Sequence, residues 1–147
     1  RTETISRPMD RLPVFQSQET DASAMMSHDA FLLFAGFSCH KGRLTDAKLL
    51  FDVMKTLPTL IHMRAIGQPT VTEATENPGL EGYVPIDLSN ITLSTYVDDL
   101  KIVGCVHSCK QFDFSLLLKY IQRKYGCAKL GFKCVGEQDM TNVVDHG

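Results

Sequence analysis

The side chain best placed for chemistry is a serine at a point where a strand pattern breaks. Apolar residues alternate along 84–88 and again along 91–93 with the opposite parity, so Ser89-Asn90 is predicted to lie at a bulge or turn. A hydroxyl at a distorted point of the backbone is either an inert turn residue or a group that reacts with the backbone itself. A cysteine, Cys109, ends the next predicted strand, shortly before a helix.

Cysteine and histidine side chains also alternate on that later strand. Cys105, His107 and Cys109 project from one face, and Cys39-His40 ends another predicted strand. Thiolates and imidazoles are common zinc ligands. Residues four apart on a strand are separated by roughly 13 Å, which is too far for one tetrahedral ion, and no Cys-x-x-Cys spacing supports a site. We therefore predict no metal site and interpret His107 as a hydrogen-bonded strand residue.

The elements that must position these residues begin with a strand and a helix. The apolar segment 29–39 predicts a buried strand. Leucine, valine and methionine then recur at helical spacing from Ala47, where Thr45 or Asp46 can cap the helix. Pro58 is expected to disturb the end of this helix.

The second half of the chain contains the clearest helix, over 112–124. Asp113 is placed to cap it, and Gly126 is placed to end it. The other predicted elements are strands at 63–75, on both sides of Ser89, at 100–109 and at 128–135.

This pattern of elements predicts the fold class α+β. We expect a two-layer α/β sandwich in which a mostly antiparallel sheet carries two main helices on one face. The other face of such a sheet needs a partner, so we expect a homodimer.

Composition excludes several classes of partner. The 147 residues are 44% hydrophobic and 22% charged, with a net charge of -2, which gives no electrostatic reason to expect binding to nucleic acid or to an anionic membrane. The longest apolar runs are far shorter than a membrane span. Five cysteines without framework spacing indicate reduced thiols and a cytoplasmic protein.

The chain divides into three predicted regions. Residues 1–28 are polar and aperiodic, which is typical of a flexible N-terminal arm or leader. Residues 29–136 are predicted to form the folded domain, and residues 137–147 a loose polar tail.

Three motifs together resemble a known family. A Gly-x-x-Gly motif (79–82) precedes an apolar strand, Ser89 lies in Asp-Leu-Ser-Asn-Ile-Thr-Leu-Ser-Thr-Tyr, and Ser-Cys-Lys-Gln-Phe-Asp follows at 108–113. From about residue 29 to 132 the chain is similar to the small prokaryotic S-adenosylmethionine decarboxylases, which are pyruvoyl-dependent. In that family the serine attacks the preceding carbonyl, and elimination then cuts the chain and leaves a pyruvoyl group. This group serves as the electron sink for decarboxylation.

The resemblance implies a role for each matching residue. Ser89 stands at the position of the reactive serine, Cys109 at that of the proton donor, and Asp98 at that of a glutamate that binds ribose hydroxyls. Two acid-base positions differ, because Ser94 replaces the processing histidine and Glu81 replaces a second serine. A serine hydroxyl cannot accept a proton near neutral pH without its own activator. Leu88 replaces a glutamate, a change that matters least because the reacting atom there is backbone, and Asn90 replaces a histidine.

Each of these residues also has a structural interpretation. Ser89 is either a pyruvoyl precursor or an inert serine inherited with the fold, and Cys109 is either a proton donor or a buried small hydrophobe. Asp98 is either a ligand contact or a turn residue.

We expect a divergent S-adenosylmethionine decarboxylase-like domain over 29–136. It would decarboxylate S-adenosylmethionine or a related amino acid through a pyruvoyl group made at Ser89, and the resemblance implies a place in spermidine synthesis. The alternative is an unprocessed, non-catalytic ligand-binding or regulatory homologue of the same fold. A third hypothesis is a ligand-binding enzyme that does not use pyruvoyl.

Overall fold

A computed structural model describes residues 29–145. The predicted arm, residues 1–28, lies outside this range. The elements, in chain order, are β1 (Ala30–Phe37), α1 (Lys41–Leu44), α2 (Ala47–Leu60), β2 (Thr70–Glu73), β3 (Leu80–Ile86), β4 (Ser89–Tyr96), β5 (Lys101–Ser108), α3 (Ser115–Tyr125), β6 (Lys129–Val135) and a 3-10 turn (Glu137–Asp139).

Six strands form one sheet in the order β2-β3-β4-β5-β1-β6. Every neighbouring pair is antiparallel. The first strand alternates buried and more exposed side chains, as a strand with one covered face must. We call the buried side, which includes Leu32, Leu93 and Val106, the inner face, and the opposite side the outer face. The predicted α+β two-layer sandwich is confirmed.

Helix α2 forms where the apolar spacing predicts it. Asp46 caps it by accepting a hydrogen bond from the Leu49 N–H at 2.9 Å. The helix continues through Pro58 and ends two residues later, at Leu60. Its buried side includes Leu50 and packs against β3 and β4.

Helix α3 contacts α2 and β6. It begins at Ser115, whose N–H donates to Asp113 Oδ1 at 3.0 Å. It ends at Gly126, where the backbone enters the left-handed region with φ of 63°, a conformation that glycine adopts without steric cost. The predicted stop at Gly126 is confirmed, whereas the helix begins three residues later than predicted and its N-cap residue is Phe114, not Asp113.

The segment 63–75 is not one long strand, and that prediction is wrong. Only Thr70–Glu73 pairs with the sheet, and a single bridge joins Ala65 to Ile86. Gly67 and Pro69, residue types that interrupt strands, lie between these two contacts, where the chain leaves the sheet.

A buried polar side chain, Thr95, ties three elements together. Its hydroxyl donates to the Leu44 carbonyl at 2.9 Å, and it accepts from the Leu80 N–H at 2.8 Å. It thereby satisfies two backbone groups from α1 and β3.

None of the helices in the described part of the chain has the length and apolar character that crossing a bilayer requires.

Candidate functional site

Ser89 lies beside a two-residue hairpin turn. Asp87 and Leu88 join β3 to β4, and Ile86 pairs with Ser89 across the turn. The turn therefore lies two residues earlier than the break predicted at Ser89-Asn90, and Leu88 is 78% exposed instead of continuing the strand. Its φ is 56°, a left-handed conformation that costs a non-glycine residue on the order of 1–3 kcal/mol. The Leu88–Ser89 peptide bond thus adjoins an exposed and strained residue.

The fold brings Cys109 to Ser89. Ser89 opens β4 and Cys109 directly follows β5, and these two strands are antiparallel neighbours. The Cys109 N–H donates to Ser89 Oγ at 3.2 Å, and the Ser89 hydroxyl lies 3.9 Å from Cys109 Sγ. A hydroxyl, a backbone donor and a thiol therefore meet at one point.

The turn after β5 holds Cys109 in this position. Ser108 is fully buried, and its hydroxyl donates to the Lys110 carbonyl at 2.8 Å while it accepts from the Lys110 N–H at 2.9 Å. These two hydrogen bonds clamp the backbone on both sides of Cys109. Ser108 opens the Ser-Cys-Lys-Gln-Phe-Asp motif, but the sequence pattern predicts no role for it, because a serine before a cysteine has no distinctive spacing.

Replacing Ser108 tests this clamp. We expect Ser108→Ala to lower the free energy of unfolding by about 1–2 kcal/mol, because the Lys110 backbone groups lose their partner. We also expect faster alkylation of Cys109 by iodoacetamide, measured by peptide mass spectrometry. Ser115→Ala, at the start of α3, serves as the matched control and should leave this rate unchanged. Equal alkylation rates in all three proteins would contradict the clamp.

The other predicted site residues lie at the far end of the same strands. Glu81 pairs with Ser94 across β3 and β4. Ser94 is five positions from Ser89, which corresponds to about 16 Å along a strand. Asp98 is exposed and comes just after β4, at the end opposite to Ser89. Within one chain, the structure brings Ser89 to Cys109 but does not bring Glu81, Ser94 or Asp98 to them.

Glu81 and Ser94 instead line a separate cavity of about 410 Å³. Two further glutamates, Glu73 and Glu76, are also at its walls, so the cavity is acidic. The remaining lining residues are Ala74, Thr75, Asn77, Pro78, Thr95 and Tyr96.

His107 and Cys105, two residues apart on β5, lie on the outer face. The His107 ring stacks on Phe31 with 4.8 Å between centroids, and His107 Nε2 is 3.9 Å from Asp29 Oδ1. Burial raises the pKa of Cys105. Among residues 29–145, no three histidine, cysteine or carboxylate side chains are grouped so that they could hold a metal ion.

One further pair of reactive side chains was not predicted. Cys39 Sγ and Cys127 Sγ lie 3.1 Å apart in the interior. The two residues are 88 positions apart, so no local sequence signal connects them.

No protein-family model matches this chain, and no curated protein matches it significantly.

Proposed function

We propose that this protein is a divergent relative of the pyruvoyl-dependent S-adenosylmethionine decarboxylases, with Ser89 as the self-processing residue. The observation that carries the proposal is the meeting of three features at one point. The Ser89 hydroxyl accepts the Cys109 N–H at 3.2 Å, faces the Cys109 thiol at 3.9 Å, and adjoins the strained Leu88.

The processing reaction uses atoms of Leu88 and Ser89. Ser89 Oγ forms a bond to the Leu88 carbonyl carbon, and the bond from that carbon to the Ser89 nitrogen breaks, which gives an ester and a free amine. A base then removes the Ser89 α-proton, and Leu88 leaves from Ser89 Cβ as a carboxylate. Water converts the remaining dehydroalanine to a pyruvoyl group and releases ammonia.

The neighbouring groups suit this reaction. The Cys109 N–H holds Ser89 Oγ in one orientation, and this restricts the positions from which the oxygen can attack the Leu88 carbonyl. Cleavage also releases the left-handed conformation of Leu88, since the new terminus is free to relax.

The pyruvoyl group supplies an electron sink for decarboxylation of an amino acid. Cys109 then stands where it can return a proton to the carbon that lost carboxylate. The substrate class we propose is S-adenosylmethionine or a related amino acid, in the cytoplasm, and the resemblance implies a role of the product in spermidine synthesis. Asp98 would be the ribose contact.

A homodimer completes the proposal. Leu33, Tyr83 and Val103 on the outer face keep 43%, 43% and 37% of their surface exposed. Six strands of this length present about 600 Å² on one face, which reaches the lower limit of about 600 Å² per partner in stable interfaces. We propose a second copy as the partner of this face.

The dimer also bears on the acid-base residues. Glu81 and Ser94 are about 16 Å from Ser89 within one chain, so they can act on Ser89 only from a second copy. Both side chains project from the outer face, whereas Ser89 has the same parity as the buried Ile91 and Leu93, so an interface through the outer face does not by itself bring them to the Ser89 hydroxyl.

Intact-mass spectrometry of the purified, incubated protein tests the processing step. We expect two fragments that meet at Leu88/Ser89, with a carbonyl-reactive group on the second fragment. Light scattering of the same sample should give twice the mass of one protomer. A single full-length chain that persists through long incubation would rule out the pyruvoyl mechanism.

The alternative is an unprocessed ligand-binding or regulatory homologue. The observation that favours it is that Ser94 replaces the processing histidine, because loss of a positioned general base slows a reaction by about 10²–10⁴. Calorimetry with S-adenosylmethionine on the uncleaved chain tests this alternative. Saturable binding supports a ligand-binding homologue, and absence of binding supports a structural or regulatory partner.

A further inference from the structure

Two buried thiols are in contact at the end of the sheet opposite to Ser89. Cys39 follows β1 and Cys127 precedes β6, and their sulfur atoms are 3.1 Å apart. The side chains are 4% and 0% exposed. Neither residue takes part in the chemistry proposed at Ser89, so any role of this thiol pair is independent of that function.

The backbone holds both cysteines in place. The Cys39 N–H donates to the Leu100 carbonyl at 2.9 Å, and the Cys127 N–H donates to the Gln122 carbonyl at 3.1 Å. The residues that follow each cysteine are anchored as well, because the His40 N–H donates to Tyr125 O and the Ala128 N–H donates to Phe37 O, both at 2.9 Å. The two thiols are therefore fixed neighbours, with a high effective concentration for each other.

A glycine leaves the space that the sulfur atoms occupy. A Cβ built on Gly36 would be 2.6 Å from Cys127 Sγ and 3.0 Å from an Ile102 side-chain carbon. Any side chain at position 36 would displace the thiol pair. The contact between the thiols thus depends on three separate segments of the chain.

The two thiols differ in acidity. The hydrogen bond from the Cys127 thiol lowers the pKa of Cys39, and the same hydrogen bond, together with burial, raises the pKa of Cys127. The more acidic thiol of such a pair attacks an oxidant, and its neighbour resolves the product.

We propose that Cys39 and Cys127 are a redox modification site that closes to a disulfide when the protein meets a peroxide. The Cys39 thiolate attacks one oxygen of hydrogen peroxide and becomes a sulfenic acid, and the hydroxide that leaves takes up the proton of the former thiol to give water. The Cys127 sulfur then attacks the Cys39 sulfur and expels a second water, so two thiols and one peroxide give one disulfide and two waters. The sulfur atoms must approach by about 1 Å to reach the length of a disulfide bond.

The disulfide constrains the unfolded chain. It closes a loop that spans 88 positions, most of the described domain, and a loop of this length removes much of the conformational freedom of the unfolded state. Oxidation would therefore stabilise the domain. Because both thiols are buried, the oxidant reaches them only when the loops around Cys39 and Cys127 open locally.

Peroxide treatment of the native full chain tests the proposal. We expect peptide mapping under non-reducing conditions to yield a linked Cys39–Cys127 peptide. The number of titratable thiols per chain should fall by two, and Tm should rise on the order of 10 °C. A thiol reductant should reverse all three changes. Cys105→Ala, the matched control, should respond like the unsubstituted chain, whereas Cys127→Ala should show no rise in Tm.

Two outcomes would overturn the proposal. One is the absence of the Cys39–Cys127 peptide after oxidation of the native chain. The other is a rise in Tm that Cys127→Ala retains. Should Cys127→Ala fail to fold, the peptide map of the unsubstituted chain decides the question by itself.

Discussion

Ser89→Ala is expected to abolish cleavage of the chain entirely while the fold is kept. The alanine lacks the oxygen that must bond to the Leu88 carbonyl, so no ester forms and no pyruvoyl group follows. Ser89 is only partly buried, and its hydroxyl interacts with the N–H and the thiol of Cys109, so the loss of stability should be small, about 1 kcal/mol. Intact mass and circular dichroism of the purified variant measure the two effects.

Ser115→Ala is the matched control for this experiment. It removes a serine hydroxyl from the first turn of α3, away from β4, and its chain should be cleaved as fast as the unsubstituted one. If the unsubstituted protein is cleaved and Ser89→Ala is cleaved equally, Ser89 is not the reactive group. If neither is cleaved, the unprocessed homologue becomes the better description.

Thr95→Val is expected to cause the largest loss of stability among these variants. The valine has nearly the same shape, but it leaves the Leu44 carbonyl and the Leu80 N–H buried without their partner. An unsatisfied buried group costs about 1–3 kcal/mol, so we expect the free energy of unfolding to fall by about 2–4 kcal/mol. Urea denaturation followed by circular dichroism provides the measurement.

Thr92→Val provides the comparison on the same strand. Thr92 lies on the outer face, opposite in orientation to Thr95, and is only partly buried. β-Branched valine is well tolerated in strands, so its effect should be within about 0.5 kcal/mol. Similar losses in both variants would mean that the Thr95 hydrogen bonds contribute little.

Local patterns in the sequence account for most of the secondary structure. The cap at Asp46 and the stop at Gly126 depend on neighbouring residues alone, so they were predicted correctly. The prediction of one strand over 63–75 was wrong because its apolar residues belong to an irregular connection that reaches the sheet at only two places. A short strand at the edge of a sheet is held by its partner, and no local period marks it.

The candidate site, like the fold, was predicted only in part from the sequence. The sequence placed Ser89 at a break in a strand pattern and, through a resemblance, associated it with Cys109. The structure alone showed that the two lie together, that Ser108 clamps the turn beside Cys109, and that Glu81 pairs with Ser94 across β3 and β4.

The sequence by itself determined the α+β class, the two long helices and the strand break beside Ser89, because hydrophobic period, caps and turn residues act over a few positions. Only the tertiary structure decided the contact of Cys39 with Cys127 and that of Ser89 with Cys109. Such distances depend on how strands pair across the sheet, and strand pairing joins residues that are far apart in the chain.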